Sequence, residues 1–102
     1  MVTVALQGDI CKPQPALVVQ SDLFGAHPSV TVLPITSTHH DTPLLRVTVQ
    51  ADAANGLRAA SQVMIDRLQS VPRDRLGPVF GHADDETMLA VNRALAVFVG
   101  LA

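Results

Sequence analysis

The chain has 102 residues, 48% of them apolar, and a formal net charge of −2. That length suits one domain spanning 1–102, and the apolar share excludes a disordered chain. Three Phe with no Trp or Tyr argue against nucleic-acid recognition by a row of stacked rings, and the charge carries no global basic signature.

In chain order, VTVAL (2–6) is β-branched and apolar and predicts a strand. QGDICKPQ follows as a loop punctuated by Gly8 and Pro13. PALVVQS (15–21) is a near-continuous apolar run, which predicts a strand covered on both faces. DLFGAHP (22–28) is a turn-rich connection. SVTVLPITS (29–37) predicts a strand in which Pro34, lacking an N–H for the ladder, marks an edge or a bulge. THHDTP (38–43) is a polar loop. LLRVTVQA (44–51) alternates, with Leu45, Val47 and Val49 on one face and Arg46, Thr48 and Gln50 on the other. DAANGL (52–57) is a turn whose Asn55-Gly56 pair supplies positive φ. ASQVMIDRLQSV (60–71) reads as one strand whose phase slips near Arg67, which implies a bulge. PRDRLGPVFGH (72–82) reads as a broken connection with one or two short pieces.

DDETMLAVNRALAVFVG (84–100) predicts a helix. Asp84 or Asp85 can cap it, three acids sit where the helix dipole favours anions, and Gly100 ends it. Met88, Val91, Leu95 and Phe98 form a stripe; Leu89 and Val99 widen it, and Ala90, Ala94 and Val97 line another side. A helix apolar most of the way round is buried against more than one surface, here a sheet and a second subunit. The whole predicts a mainly β chain: five or so antiparallel strands in a small, partly open barrel, with a C-terminal helix.

Residues 1–83 carry six basic and six acidic side chains, so the acidic bias sits at the helix start and a basic patch elsewhere stays open. The lone Cys11 excludes an intrachain disulfide and fits a reducing cytoplasm. Four His and one Cys show no zinc spacing, and neither a metal nor a cofactor is expected. No run of about 20 apolar residues predicts a membrane span. The start MVTVALQGD lacks the basic region and long apolar core of a secretory leader, so a cytoplasmic location is expected.

PALVVQSDLF, VTVLPITS, ANGLRAASQVMIDRLQSV, LGPVFG and ETMLAVNRALAVFVGLA, in that order and spacing, resemble the MazF/PemK family of toxin endoribonucleases over nearly the whole chain. The resemblance implies an SH3-like or CcdB-like barrel and a homodimer acting as the toxin of a type II toxin–antitoxin system. It implies metal-independent, sequence-specific cleavage of single-stranded RNA, and a cognate antitoxin that occupies the RNA groove, with DNA reached only through that antitoxin. In this chemistry the ribose 2′-OH attacks the adjacent phosphorus, leaving a 2′,3′-cyclic phosphate and a 5′-OH. A base for the 2′-OH, donors or a cation for the phosphorane, and an acid for the leaving oxygen are needed.

Members of the family carry an Arg before the Pro of an R-P-A-V/L-V-V pattern; in this chain that slot is Gln14. The Thr that follows a Pro-x pair in the third strand is matched by Thr36. Some members use an acid in the fifth strand, matched by Asp66, with a basic residue two places earlier; that place is Met64 here and cannot serve. By the resemblance Ser61 and Gln62 fall at groove positions, and Lys12, Ser37, His39 and Arg67 are further candidates for RNA binding. The family opens with a basic-Gly-Asp segment, whereas this chain begins at Met1-Val2-Thr3-Val4, which reads as a shortened N-terminus. The first loop is short as well.

Each residue also has a plainer reading. Gln14 suits a hydrated loop residue, Thr36 a turn cap, Asp66 a surface carboxylate opposite Arg46, and His39-His40 a solvated pair. Cys11 has only Lys12 beside it to activate it. A neutral amide at Gln14 can donate to a phosphate but supplies neither charge nor a guanidinium fork. This leaves open a weakened endoribonuclease and a non-cutting dimer that binds antitoxin and RNA or regulates its operon. A gyrase poison of the CcdB type shares the fold but relies on a Trp-Gly-Ile-like end; this chain ends Gly100-Leu101-Ala102 and contains no Trp.

Overall fold

The computed structural model describes the backbone of residues 2–6 and, in full, residues 14–19 and 25–101. Strands β1 (Val2–Leu6), β2 (Gln14–Val18), β3 (Ser29–Thr36), β4 (Arg46–Val49), β5 (Ser61–Met64), β6 (Gln69–Pro72) and β7 (Leu76–His82) precede helix α1 (Asp85–Phe98). The sheet order is β4-β5-β3-β2-β1-β7, all neighbours antiparallel, with β6 also pairing β3.

Seven strands rather than five are present among the described residues, for two reasons. The stretch 60–71 is split: a 3-10 turn at Ile65–Arg67 replaces the expected bulge and carries the chain along β3. β5 pairs the far end of β3 (Ile35↔Val63, Thr36↔Gln62) and β6 its beginning (Ser29↔Pro72 to Val32↔Gln69). Pro34 is therefore not on an edge. It lies inside β3, opposite Ala16, in the gap between the stretches held by β6 and β5. The expected broken connection at 72–82 contains β7, which pairs β1 through two register shifts. Pro78 is accommodated there because β7 is the last strand of the sheet.

β3 is buried on both sides. Leu33 and Ile35 join Leu17, Val49, Val63, Ile65, Met88 and Val91 in the main core under α1. Val30 and Val32 join Ala16 and Val71 in a second cluster. The turn after β4 packs against β7. Gly56 has φ of 69°, and a Cβ there would also meet the Phe80 carbonyl. A Cβ on Gly81 would fall 2.3 Å from the Asn55 carbonyl, and the His82 N–H donates to the Ala54 carbonyl at 2.7 Å. Buried Asn55 ties this turn together, its Oδ1 accepting from Asp52 and Leu57 N–H and its Nδ2 donating to the Gln50 carbonyl.

Helix α1 is capped by Asp84, whose Oδ1 accepts the Thr87 N–H at 2.8 Å. It ends with Gly100 at φ 81° and the Leu101 N–H bonded to the Ala96 carbonyl, a Schellman closure. Met88 and Val91 are buried, but Leu89, Val97, Phe98, Val99 and Leu101 are exposed. Phe98, at the end of the predicted stripe, is 47% exposed. No helix among the described residues is long and apolar enough to cross a membrane.

Candidate active site

Antiparallel pairing puts cross-strand partners on the same face. The β2–β3 register runs Val18↔Val32, Leu17↔Leu33, Ala16↔Pro34; continued two residues, it sets Gln14 across from Thr36. Thr36 is paired with Gln62, and Gln62 with Thr48. One face of the sheet thus carries a row of four polar, uncharged side chains, Gln14–Thr36–Gln62–Thr48, crossing β2, β3, β5 and β4. At about 4.8 Å per strand the row is roughly 14 Å long. The opposite face belongs to the apolar core under α1.

Gln14 is exposed as the first residue of β2, and its Nε2 donates weakly to the Ile35 carbonyl at 3.4 Å. Thr36 is half-buried at the end of β3, and its Oγ1 accepts the Thr38 N–H at 3.1 Å. With that lone pair engaged, the hydroxyl keeps its proton for an acceptor above the sheet. Ser37 is exposed immediately after it.

The loop 37–43 turns back over the start of β5. His39 is exposed, with Nε2 2.9 Å from the Ala60 carbonyl, so the ring donates there in its Nε2–H tautomer. Gln62 is only 6% exposed. Its Oε1 accepts the His40 N–H at 2.9 Å and its Nε2 donates to the His40 carbonyl at 3.0 Å.

The structure does not bring all the expected residues together. Ser61 alternates with Gln62 and is buried on the other side of β5, its Oγ donating to the Ala59 carbonyl at 2.9 Å. Asp66 lies in the 3-10 turn rather than within β5, because the strand ends at Met64. From there its Oδ1 holds the Arg46 Nη1 at 2.8 Å. The plainer reading of Asp66, as the partner of Arg46, is thus realised. Arg46 shares the face of Thr48, two residues away along β4, and its Nε is buried without a partner among the described residues. Arg67 is exposed at the end of the turn. Lys12 and Cys11 lie outside the described residues. Among the described residues no group of three or more His, Cys, Asp or Glu could hold a metal ion.

Two features escaped the sequence reading. Thr48 was visible as a polar-face residue of an alternating strand, but only strand order puts it in line with Thr36. The Gln62–His40 pairing left no local signal, since its partners are 22 residues apart.

Comparison with known proteins decides the family. A model of the PemK-like, MazF-like toxin of type II toxin–antitoxin systems matches residues 1–99. The chain belongs to this family. Among its relatives, a Mycolicibacterium smegmatis protein named as a probable endoribonuclease MazF is 43% identical over 91 residues, covering 89% of this chain and 84% of that protein. The Mycobacterium tuberculosis toxin MazF-mt6 superposes with a TM-score of 0.86 at 30% identity, covering 100% of this chain and 99% of that one. A mycobacterial endoribonuclease solved in complex with its cognate antitoxin gives a TM-score of 0.81 at 25% identity, covering 98% and 93%. The mainly antiparallel, partly open architecture with one C-terminal helix matches that of the MazF toxin structure.

Proposed function

We propose that this MazF-like chain is the RNA-cleaving toxin of its toxin–antitoxin pair, slowed by the neutral side chain at Gln14. Single-stranded RNA crosses the polar row so that the scissile phosphate sits between Gln14 and Thr36. The 2′-oxygen attacks phosphorus as its proton passes to a base; the bond to the 5′-oxygen breaks, and that oxygen takes up a proton. The Thr36 hydroxyl donates to a phosphate oxygen as charge builds there, and the Gln14 amide adds an uncharged donor. Ser37, His39 and Arg67, all exposed, contact flanking nucleotides and set the cleavage sequence.

The observation that carries this reading is the β2–β3 register, which continued two residues faces Gln14 with Thr36, in a chain of this family. The relative solved with its cognate antitoxin supports an antitoxin partner. We expect that partner to supply an acidic, largely disordered tail that folds into the groove. The exposed apolar side chains of α1 support a homodimer, and the toxin acts in the cytoplasm.

The test is digestion of a mixed-sequence single-stranded RNA with EDTA present. The expected products end in 2′,3′-cyclic phosphate and 5′-OH, and Thr36→Ala abolishes them. Products with 3′-OH ends, or cleavage that survives Thr36→Ala, would overturn the assignment. Gln14 also favours a second reading, a dimer that binds antitoxin and RNA without cutting. Micromolar RNA binding with no cleavage by the native chain would select it.

A further inference from the structure

The Gln62 side chain sits in the polar row next to Thr36, yet it faces inward in the hydrogen-bonding sense. It is 6% exposed, and its carbonyl and amino groups both engage the backbone of His40. Such a side chain offers little to a nucleotide base. What it holds is the loop 37–43, and this loop supplies the Thr38 N–H that binds Thr36 Oγ1. His39 adds a tether from the same loop to the Ala60 carbonyl, just before β5. We infer that Gln62 is a positioning residue that orients the Thr36 hydroxyl through the His40–Thr38 segment, rather than a residue that reads RNA.

The physical chain has three links. Gln62 pairs with Thr36 across β3 and β5, so its backbone is fixed by the sheet. Its planar amide matches both polar groups of one residue, His40, which sets the loop's position and its twist. With His40 fixed, the Thr38 N–H two residues earlier points at Thr36 Oγ1 and takes one lone pair. The hydroxyl proton is then left to the acceptor over the groove. Without the clamp the loop detaches, Thr38 turns away, and the Thr36 hydroxyl rotates among its staggered positions. A displacement of about 1 Å at a reacting group can cost about 100-fold in rate.

The inference rests on the proposed role of Thr36 in RNA cleavage, and the experiment separates the two. Gln62→Met keeps side-chain length and loses both hydrogen bonds. Gln62→Glu keeps the acceptor for the His40 N–H. Steady-state cleavage of single-stranded RNA is measured in the native chain and in a Gln14→Arg background. Gln62→Met is expected to lower kcat by about 10- to 100-fold with KM within about twofold, Gln62→Glu to recover part of the loss, and cleavage-site preference to stay the same. Hydrogen exchange read by NMR is expected to lose Thr38 and His40 amide protection in Gln62→Met while Ile35 and Val63 keep theirs.

A raised KM or an altered cleavage sequence would place Gln62 on the RNA and overturn the inference. So would unchanged protection at Thr38, whatever the activity. If no variant cuts RNA, the proposed function fails by itself. The clamp then stands or falls on the exchange data alone.

Discussion

Replacing Gln14 by Arg places a cation opposite Thr36 while leaving the sheet untouched. Two unit charges 4 Å apart are worth about 1 kcal/mol in water and about 4 kcal/mol at an effective dielectric of 20. Gln14 is exposed at the start of β2, so a guanidinium there falls between those limits once RNA covers it. A value near 2.7 kcal/mol corresponds to about 100-fold in rate, the lower end of what one preorganised donor supplies to a transition state. The substitution removes only a long hydrogen bond, Gln14 Nε2 to the Ile35 carbonyl at 3.4 Å, so stability should change by less than about 0.5 kcal/mol. The assay is a fluorogenic single-stranded RNA of mixed sequence in EDTA, comparing kcat/KM of the native chain, Gln14→Arg, and Gln14→Arg with Thr36→Ala. The gain should appear in the second and vanish in the third. If the native chain already cuts fast and Gln14→Arg changes nothing, Gln14 does not face the phosphate, and Lys12 or a histidine carries the charge.

Gly81→Ala should destabilise the fold by about 1–3 kcal/mol in a thermal melt, because its Cβ would overlap the backbone of Asn55 with no flexible atom to yield. Hydrogen bonds from the Thr87 side chain and then its N–H hold the Asp84 carboxyl below its ordinary value of 3.8, so the stability this cap adds is present above that pH and is lost as pH falls through the lowered value. Asp84→Asn keeps a capping side chain, so its melting temperature should match the native one at pH 7 and fall less on acidification below pH 3.8. Light scattering at micromolar concentration should report a dimer, and Val97→Glu, on the exposed side of α1, should shift it towards monomer without loss of helix by circular dichroism.

How far the sequence reveals this molecule depends on whether the signal is local. Helix α1 was legible because its cap, acids, apolar stripe and closing glycine lie within one continuous segment. Strand β7 was not, because Gly77, Pro78 and Gly81 read as breakers; its pairing with β1 and the docking of Asn55 on Gly81 are long-range facts. The phase slip near Arg67 was real, but periodicity could not tell a bulge from the turn that hands β3 from β5 to β6. At the site, the family resemblance supplied Gln14 and Thr36, while their opposition needed the strand order. Ser61 and Gln62 show what alternation alone could have settled: Val63 belongs to the core, so Ser61 shares its side and Gln62 faces the other way.

The charges on the proposed groove face lead to one more prediction. The row Gln14–Thr36–Gln62–Thr48 is neutral, and the cation that β4 adds to that face, Arg46, is held by Asp66 at 2.8 Å. Binding to single-stranded RNA gains electrostatic affinity by releasing counterions, with a slope of log K against log salt of about −0.7 for each phosphate neutralised. A groove built this way neutralises few phosphates, so the native chain should bind a non-cleavable 2′-O-methyl RNA with shallow salt dependence. Gln14→Arg should steepen the slope by about 0.7 for each guanidinium that engages a phosphate. Fluorescence anisotropy between 50 and 200 mM salt, a range wide enough to resolve one unit of slope, is the measurement. A steep native slope that Gln14→Arg leaves unchanged would mean that cations elsewhere on the chain grip the backbone. The slowing proposed for Gln14 could then not be traced to a missing charge beside Thr36.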